Sequence, residues 1–163
     1  MKKQVLFCLV ICALVAGATA QARTIFLVRH AERGVTTGPS TTDTHLSAAG
    51  RARAQRLREE LKDAKITAIY TTEYKRTQET AAPLAHSLGI QPEIISAGET
   101  SRLVAKLKAS RGNVLVVGHS NTLPQIIAML GISSPVTIAE SEFDNLFEVV
   151  LDPAPHLIRR HYR

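Results

Sequence analysis

The sequence predicts an α/β fold, a three-layer α/β/α sandwich with a mostly parallel central sheet and an antiparallel edge. Short apolar runs, one opening at Phe26 and others at Ile66–Tyr70 and Val114–Val117, alternate with longer stretches of helical spacing. That alternation is the pattern of parallel strands joined by crossover helices. Two further runs, Leu146–Leu151 and Leu157–Tyr162, are separated only by Asp152, Pro153, Ala154 and Pro155, which reads as a hairpin at the sheet edge.

The first twenty residues stand outside this pattern. Lys2 and Lys3 precede an apolar run from Val5 to Ala16, and Ala18, Thr19 and Ala20 supply a small-x-small cleavage pattern. A run this short does not span a bilayer, so residues 1–20 read as a secretory signal peptide, with a retained anchor as the alternative. The expected location is periplasmic or secreted, with no stable membrane insertion after cleavage. Both cysteines, Cys8 and Cys12, fall in that segment, so the mature chain has no disulfide to form. Residues 21–163 are of ordinary size for one domain.

The elements follow in order. Gly34 to His45 is an irregular stretch rich in Thr, Gly, Pro and Ser, and loops of that length inside compact domains are commonly functional. Ser47 caps a helix running to about Asp63, with Leu57 and Leu61 four apart on its buried side. After the strand at Ile66–Tyr70, either Thr71 or Thr72 caps a second helix that reaches Leu88 and ends at Gly89; Pro83 should kink or split it. Gly98 to Ser110 forms a third helix with Thr100 as its cap. Pro124 falls in the first turn of a fourth, capped near Ser120 or Asn121.

The formal charge of +6 falls to +4 without Lys2 and Lys3. The basic residues cluster at Arg51, Arg53, Arg56 and Arg58 and at Arg159, Arg160 and Arg163, with no interleaved aromatic platform for bases. Solvated faces are favoured over nucleic-acid binding, and anionic small molecules are the expected partners.

The chemistry sits where strands end. Arg29 and His30 leave the first strand, and Gly118, His119, Ser120 and Asn121 leave a later one. Ligands of open α/β sheets collect outside such carboxyl ends. Arginine's planar fork matches two phosphate oxygens, and a neutral imidazole can attack phosphorus. Arg76, near the start of the second helix, and that helix's own amides can face one anion. His119 can donate to phosphate. His45, His86, His156 and His161 show no ligand spacing, and no metal or cofactor is implied.

Taken together, these residues resemble the histidine phosphatase superfamily, the phosphoglycerate mutase-like branch 1. Its Arg-His-Gly opening is matched by Arg29, His30 and Ala31 with Glu32 following. Leu46, Ser47, Gly50 and Gln55 match the next element, Arg76 with Thr77 and Thr80 the second-arginine segment, and VVGHSN the second-histidine segment, over about residues 24–130. The resemblance implies His30 as a nucleophile that forms a phosphohistidine, within a phosphate pocket of Arg29, Arg76 and His119. It also implies a carboxylic acid for the leaving oxygen, for which Glu99 is the nearest candidate and Glu93 the next. Glu32 and Glu73 must be turned away or protonated to share such a pocket.

The expected activity is an exported, metal-independent phosphomonoesterase acting on a small phosphorylated substrate. A phosphate-binding module with little turnover and a protein phosphohistidine phosphatase are the alternatives. Gly34 to His45 and the region around Ser133 to Asn145 are expected to line the entrance. Neither the natural substrate nor the oligomeric state is legible.

Overall fold

The computed structural model describes residues 23–35 and 43–163. Residues 1–22, which include the segment read as a signal peptide, and residues 36–42 of the irregular stretch lie outside them. Strand β1 (Thr24–Arg29) is buried on both faces: Ile25 and Leu27 point into one apolar cluster, Phe26 and Val28 into another. A strand of that kind needs helices on both sides. Helices α1 (Ala48–Leu61) and α2 (Lys75–Leu88) cover the Phe26 side with Leu57, Leu61, Ala81 and Leu84. Helices α3 (Thr100–Ala109) and α4 (Leu123–Met129) cover the other with Leu103, Leu107, Leu123 and Ile127.

The remaining strands are β2 (Ile66–Thr71), β3 (Glu93–Ile94), β4 (Asn113–Gly118), β5 (Asn145–Val150) and β6 (His156–His161). They join β1 in one sheet of order β3-β2-β4-β1-β5-β6. The pairs β3–β2, β2–β4 and β4–β1 are parallel; β5 runs antiparallel to β1, and β6 antiparallel to β5. This is the sandwich with an antiparallel edge that the sequence predicts. The chain leaves β1 across β4 towards β2, and leaves β4 across β1 towards β5. These opposite departures open a crevice at the ends of the two central strands, where Arg29 registers with Gly118.

Several element boundaries differ from expectation. Ser47 does cap α1, its hydroxyl accepting from the Gly50 amide at 3.0 Å. Neither Thr71 nor Thr72 caps α2, which starts at Lys75 after Tyr74: Thr71 stays in β2, and the Thr72 hydroxyl is engaged by Thr77 and His119. Pro83 does not split α2; the helix runs on to Gly89, whose left-handed φ of 66° ends it. Thr100 is the first helical residue of α3 and not its cap, and α4 starts after Thr122 instead of near Ser120. The two-residue β3, exposed at both positions, carries no sequence signal.

Most of the clustered arginines have intramolecular partners. Arg53 pairs with Glu32, Arg58 with Glu59, Arg159 with Glu142, Arg160 with Glu148 and Arg163 with Asp144. The ends of the irregular stretch are clasped by an Arg33–Leu46 bridge and by the Gly34 amide donating to the His45 carbonyl at 2.9 Å. Among the described residues no helix is long and apolar enough to cross a membrane.

Candidate active site

At the crevice, the amide of His30 donates to the Gly118 carbonyl at 2.9 Å, locking the end of β1 to the end of β4. The next turn is held from both helices of one layer. Thr80 of α2 accepts from the Ala31 amide at 2.9 Å while donating to the Arg76 carbonyl, and α1 approaches so closely that a Cβ on Gly50 would lie 2.2 Å from the Glu32 oxygen. Ala31 is fully buried with Leu46 and Ala54, so its methyl group has a packed place in the turn.

His30 is buried, and its Nδ1 lies 2.8 Å from the Ala31 carbonyl oxygen. A carbonyl only accepts, so Nδ1 carries the proton and Nε2 carries the lone pair. Burial, followed by the Arg76, His119 and Arg29 charges, pushes the imidazole down to about 4, against the raising effect of the Ala31 bond. At neutral pH the ring is therefore uncharged.

Around it opens a cavity of about 450 Å³, with Arg29, Arg33, Arg76, His119 and Glu140 among its lining residues. The His30 and His119 rings stand 5.4 Å apart at 63°. Arg76 is buried in the first turn of α2, with its guanidinium 4.2 Å above the Tyr74 ring. Of the amides in the first turn of α2, those of Lys75 and Thr77 donate to Asp43 and to the Tyr74 carbonyl. His119 is held by its Nε2, 3.0 Å from the Thr72 hydroxyl, and is also pushed down to about 4, by burial first and the Arg76 charge second.

Arg29 is packed 4.2 Å over the Phe143 ring. Its Nη1 donates to the carbonyls of Ala139, Glu140 and Glu142 at 2.9–3.2 Å, and its Nη2 to the Glu140 carboxylate at 2.9 Å. Its Nε is buried and meets no acceptor among the described residues. A buried donor left in that state costs about 1–3 kcal/mol, and functional sites are where such donors persist.

Residues 25–97 match the family model of the histidine phosphatase superfamily (branch 1). The family resemblance read from the sequence is thus supported over that segment. No curated protein sequence matches it. Solved structures similar to this chain include a mycobacterial hydrolase at 16% identity and a TM-score of 0.67, covering 88% of this chain and 99% of that one. The protein histidine phosphatase SixA in complex with tungstate follows at 17% and 0.65, covering 85% and 96%. A phosphate complex of mycobacterial glucosyl-3-phosphoglycerate phosphatase stands at 17% and 0.66, covering 86% and 97%. At these identities the likeness is one of fold. The family match contains Arg29, His30 and Arg76 and stops short of His119, which the sheet brings to them.

The carboxylates lie differently from expectation. Glu99 sits before α3 and pairs with Arg102 at 3.1 Å, and Glu93 pairs with Lys106 at 3.0 Å; neither lines the cavity. Glu32 is turned to Arg53, and Glu73 accepts from the Ala97 amide at 2.8 Å and from Ser96. The carboxylate on the cavity wall is Glu140, which bridges Arg29 and the Ser120 hydroxyl and is held below the usual carboxylate range chiefly by Arg29. Glu140 lies within the Ser133–Asn145 region expected at the entrance, but nothing in its local sequence singles it out. No group of three or more His, Cys, Asp or Glu side chains among the described residues could hold a metal ion.

Proposed function

We propose that this chain is an exported, metal-independent phosphomonoesterase that works through a phosphohistidine on His30. The observation that carries the reading is the His30 ring itself, its Nδ1 proton given to the Ala31 carbonyl and its Nε2 left for attack beside two arginines and His119. The Nε2 lone pair forms a bond to phosphorus as the ester P–O bond breaks, and the departing oxygen takes a proton from solvent. The ring becomes cationic, which strengthens the Nδ1–H donation to Ala31. A water oxygen then adds to phosphorus and loses its proton, the P–N bond breaks, and neutral His30 and inorganic phosphate are released.

Arg29, Arg76 and His119 supply the donors and charge that offset the phosphoryl oxygens, a role otherwise open to a metal ion. Glu140 is held ionised and so is a poor proton source for the leaving oxygen. Substrates whose leaving groups need no proton are accordingly favoured, aryl phosphates over alkyl phosphates. The same observation favours a second reading, hydrolysis of a protein phosphohistidine, which is also the activity named for the structurally similar SixA. Export rests on the Lys2–Ala20 pattern and directs the first reading towards phosphate esters outside the cytoplasm.

Purified protein incubated with an aryl phosphate, an alkyl phosphate and a phosphohistidine-bearing protein, each with chelator, tests both readings. His30-dependent phosphate release, fastest from the aryl ester, supports the first. Release confined to the phosphoprotein supports the second. Phosphate binding with no release from any substrate replaces both with a binding module.

A further inference from the structure

We propose that the Thr72 hydroxyl sets the tautomer of His119: by donating to Nε2 it leaves the proton on Nδ1, so an uncharged His119 still offers phosphate a donor. The inference rests on reading the cavity as a phosphate site. Thr72 does not line that cavity and is a positioning residue.

The proton accounting starts at the buried threonines. Thr77 Oγ1 donates to the Tyr74 carbonyl at 2.7 Å and accepts from the Thr72 amide at 3.2 Å. The Thr72 hydroxyl hydrogen then has two acceptors in reach, Thr77 Oγ1 and His119 Nε2, each at 3.0 Å. With Nε2 facing Thr72, Nδ1 is the ring nitrogen left for the cavity that His119 lines. A phosphate dianion offers acceptors only, so it selects the arrangement with N–H at Nδ1 and the lone pair at Nε2. In that arrangement the hydroxyl must donate to the ring.

The alternative, a charged His119 with protons on both nitrogens, is opposed by its surroundings. Arg29 and the His30 ring face it from the end of β1; Glu73, Tyr74 and Arg76 face it from the β2–α2 turn and α2; Arg33 and Glu140 share the cavity wall. Burial and Arg76 outweigh Glu73, so the ring stays neutral until about pH 4. A neutral ring has one N–H, and its position then decides whether phosphate is held.

Thr72→Val keeps the shape and removes the hydroxyl; Thr72→Ser restores it. Inorganic phosphate binding is measured by titration calorimetry from pH 4 to 8, as the ratio of each variant to wild type, which removes phosphate's own titration. The valine variant is expected to bind about 10-fold more weakly above pH 6, with the ratio returning towards one near pH 4, where the imidazolium carries both protons. The serine variant is expected to stay within about 3-fold of wild type throughout. A valine deficit independent of pH, or none, overturns the proposal. Should the valine variant not fold, the nitrogen shifts of His119 in wild type decide: protonated Nδ1 with unprotonated Nε2 supports it, and the reverse overturns it. Absence of phosphate binding by wild type defeats the phosphate-site reading, and those nitrogen shifts still decide the role of Thr72.

Discussion

Most of the hydrogen-bonding capacity of Arg29 goes to the 139–142 segment, three carbonyls and a carboxylate, while Nε and the second Nη2 hydrogen meet no acceptor among the described residues. A single guanidinium thus both fastens the segment before β5 and lines the cavity with His30. Arg29→Lys keeps the charge but cannot supply five donors in a fork. It is expected to lower kcat/KM for an aryl phosphate by about 30- to 100-fold, read by steady-state kinetics against wild type; a change under 3-fold would show that charge alone suffices. Arg29, His30 and His119 are readable in the sequence because each lies at or just beyond the end of a strand, and Arg76 because it lies near the start of the helix that follows one. Glu140 is not, because its segment has no periodicity and its place is fixed by Arg29 and Ser120, both distant in sequence. Either Thr71 or Thr72 reads as a cap, the commonest use of a threonine between strand and helix, whereas the Thr72 hydroxyl turns inward to His119.

The turn at Ala31 and Glu32 just after β1 has little freedom, and the helices supply the reason. Gly50 lets α1 rest on the Glu32 carbonyl, Arg53 of the same helix grips the Glu32 carboxylate, and Thr80 of α2 holds the Ala31 amide. Gly50→Ala puts a methyl group into backbone that cannot give way and should cost about 1–3 kcal/mol, a fall in Tm of roughly 4 °C or more, with loss of activity as the His30 turn shifts. Gly98, where an added Cβ meets nothing within 4 Å, is the control and should keep its Tm within about 1 °C on change to Ala. Thermal unfolding of the two variants makes the comparison. Strand and helix order could be read from apolar spacing, since that spacing reports burial. The helix starts at Lys75, Thr100 and Leu123 could not, because polar residues that would cap an isolated helix are committed to tertiary bonds or already lie within the helix.

On the scale of the whole molecule, two buried imidazoles tie stability to pH. His30 and His119 titrate near 4 in the folded chain against an ordinary 6.5, so between those values the unfolded chain binds more protons and stability rises with pH. Their contribution is complete above about pH 6.5 and is lost as pH falls through about 4. Tm should therefore drop steadily over that window, and His119→Asn should flatten the drop; equal slopes for variant and wild type would place the neutral state of His119 in doubt. The three-layer arrangement that buries these rings was legible from strands alternating with helices, while the depth of burial behind their low values emerges only when β1 and β4 meet. The covalent role of His30 is the claim on which the rest depends. Rapid acid-free quenching of the protein during turnover of an aryl phosphate, followed by peptide mass spectrometry, should find an acid-labile phosphate on His30 and none in His30→Ala. Turnover with no phosphate on His30 at any quench time, or with release undiminished in His30→Ala, would contradict the account.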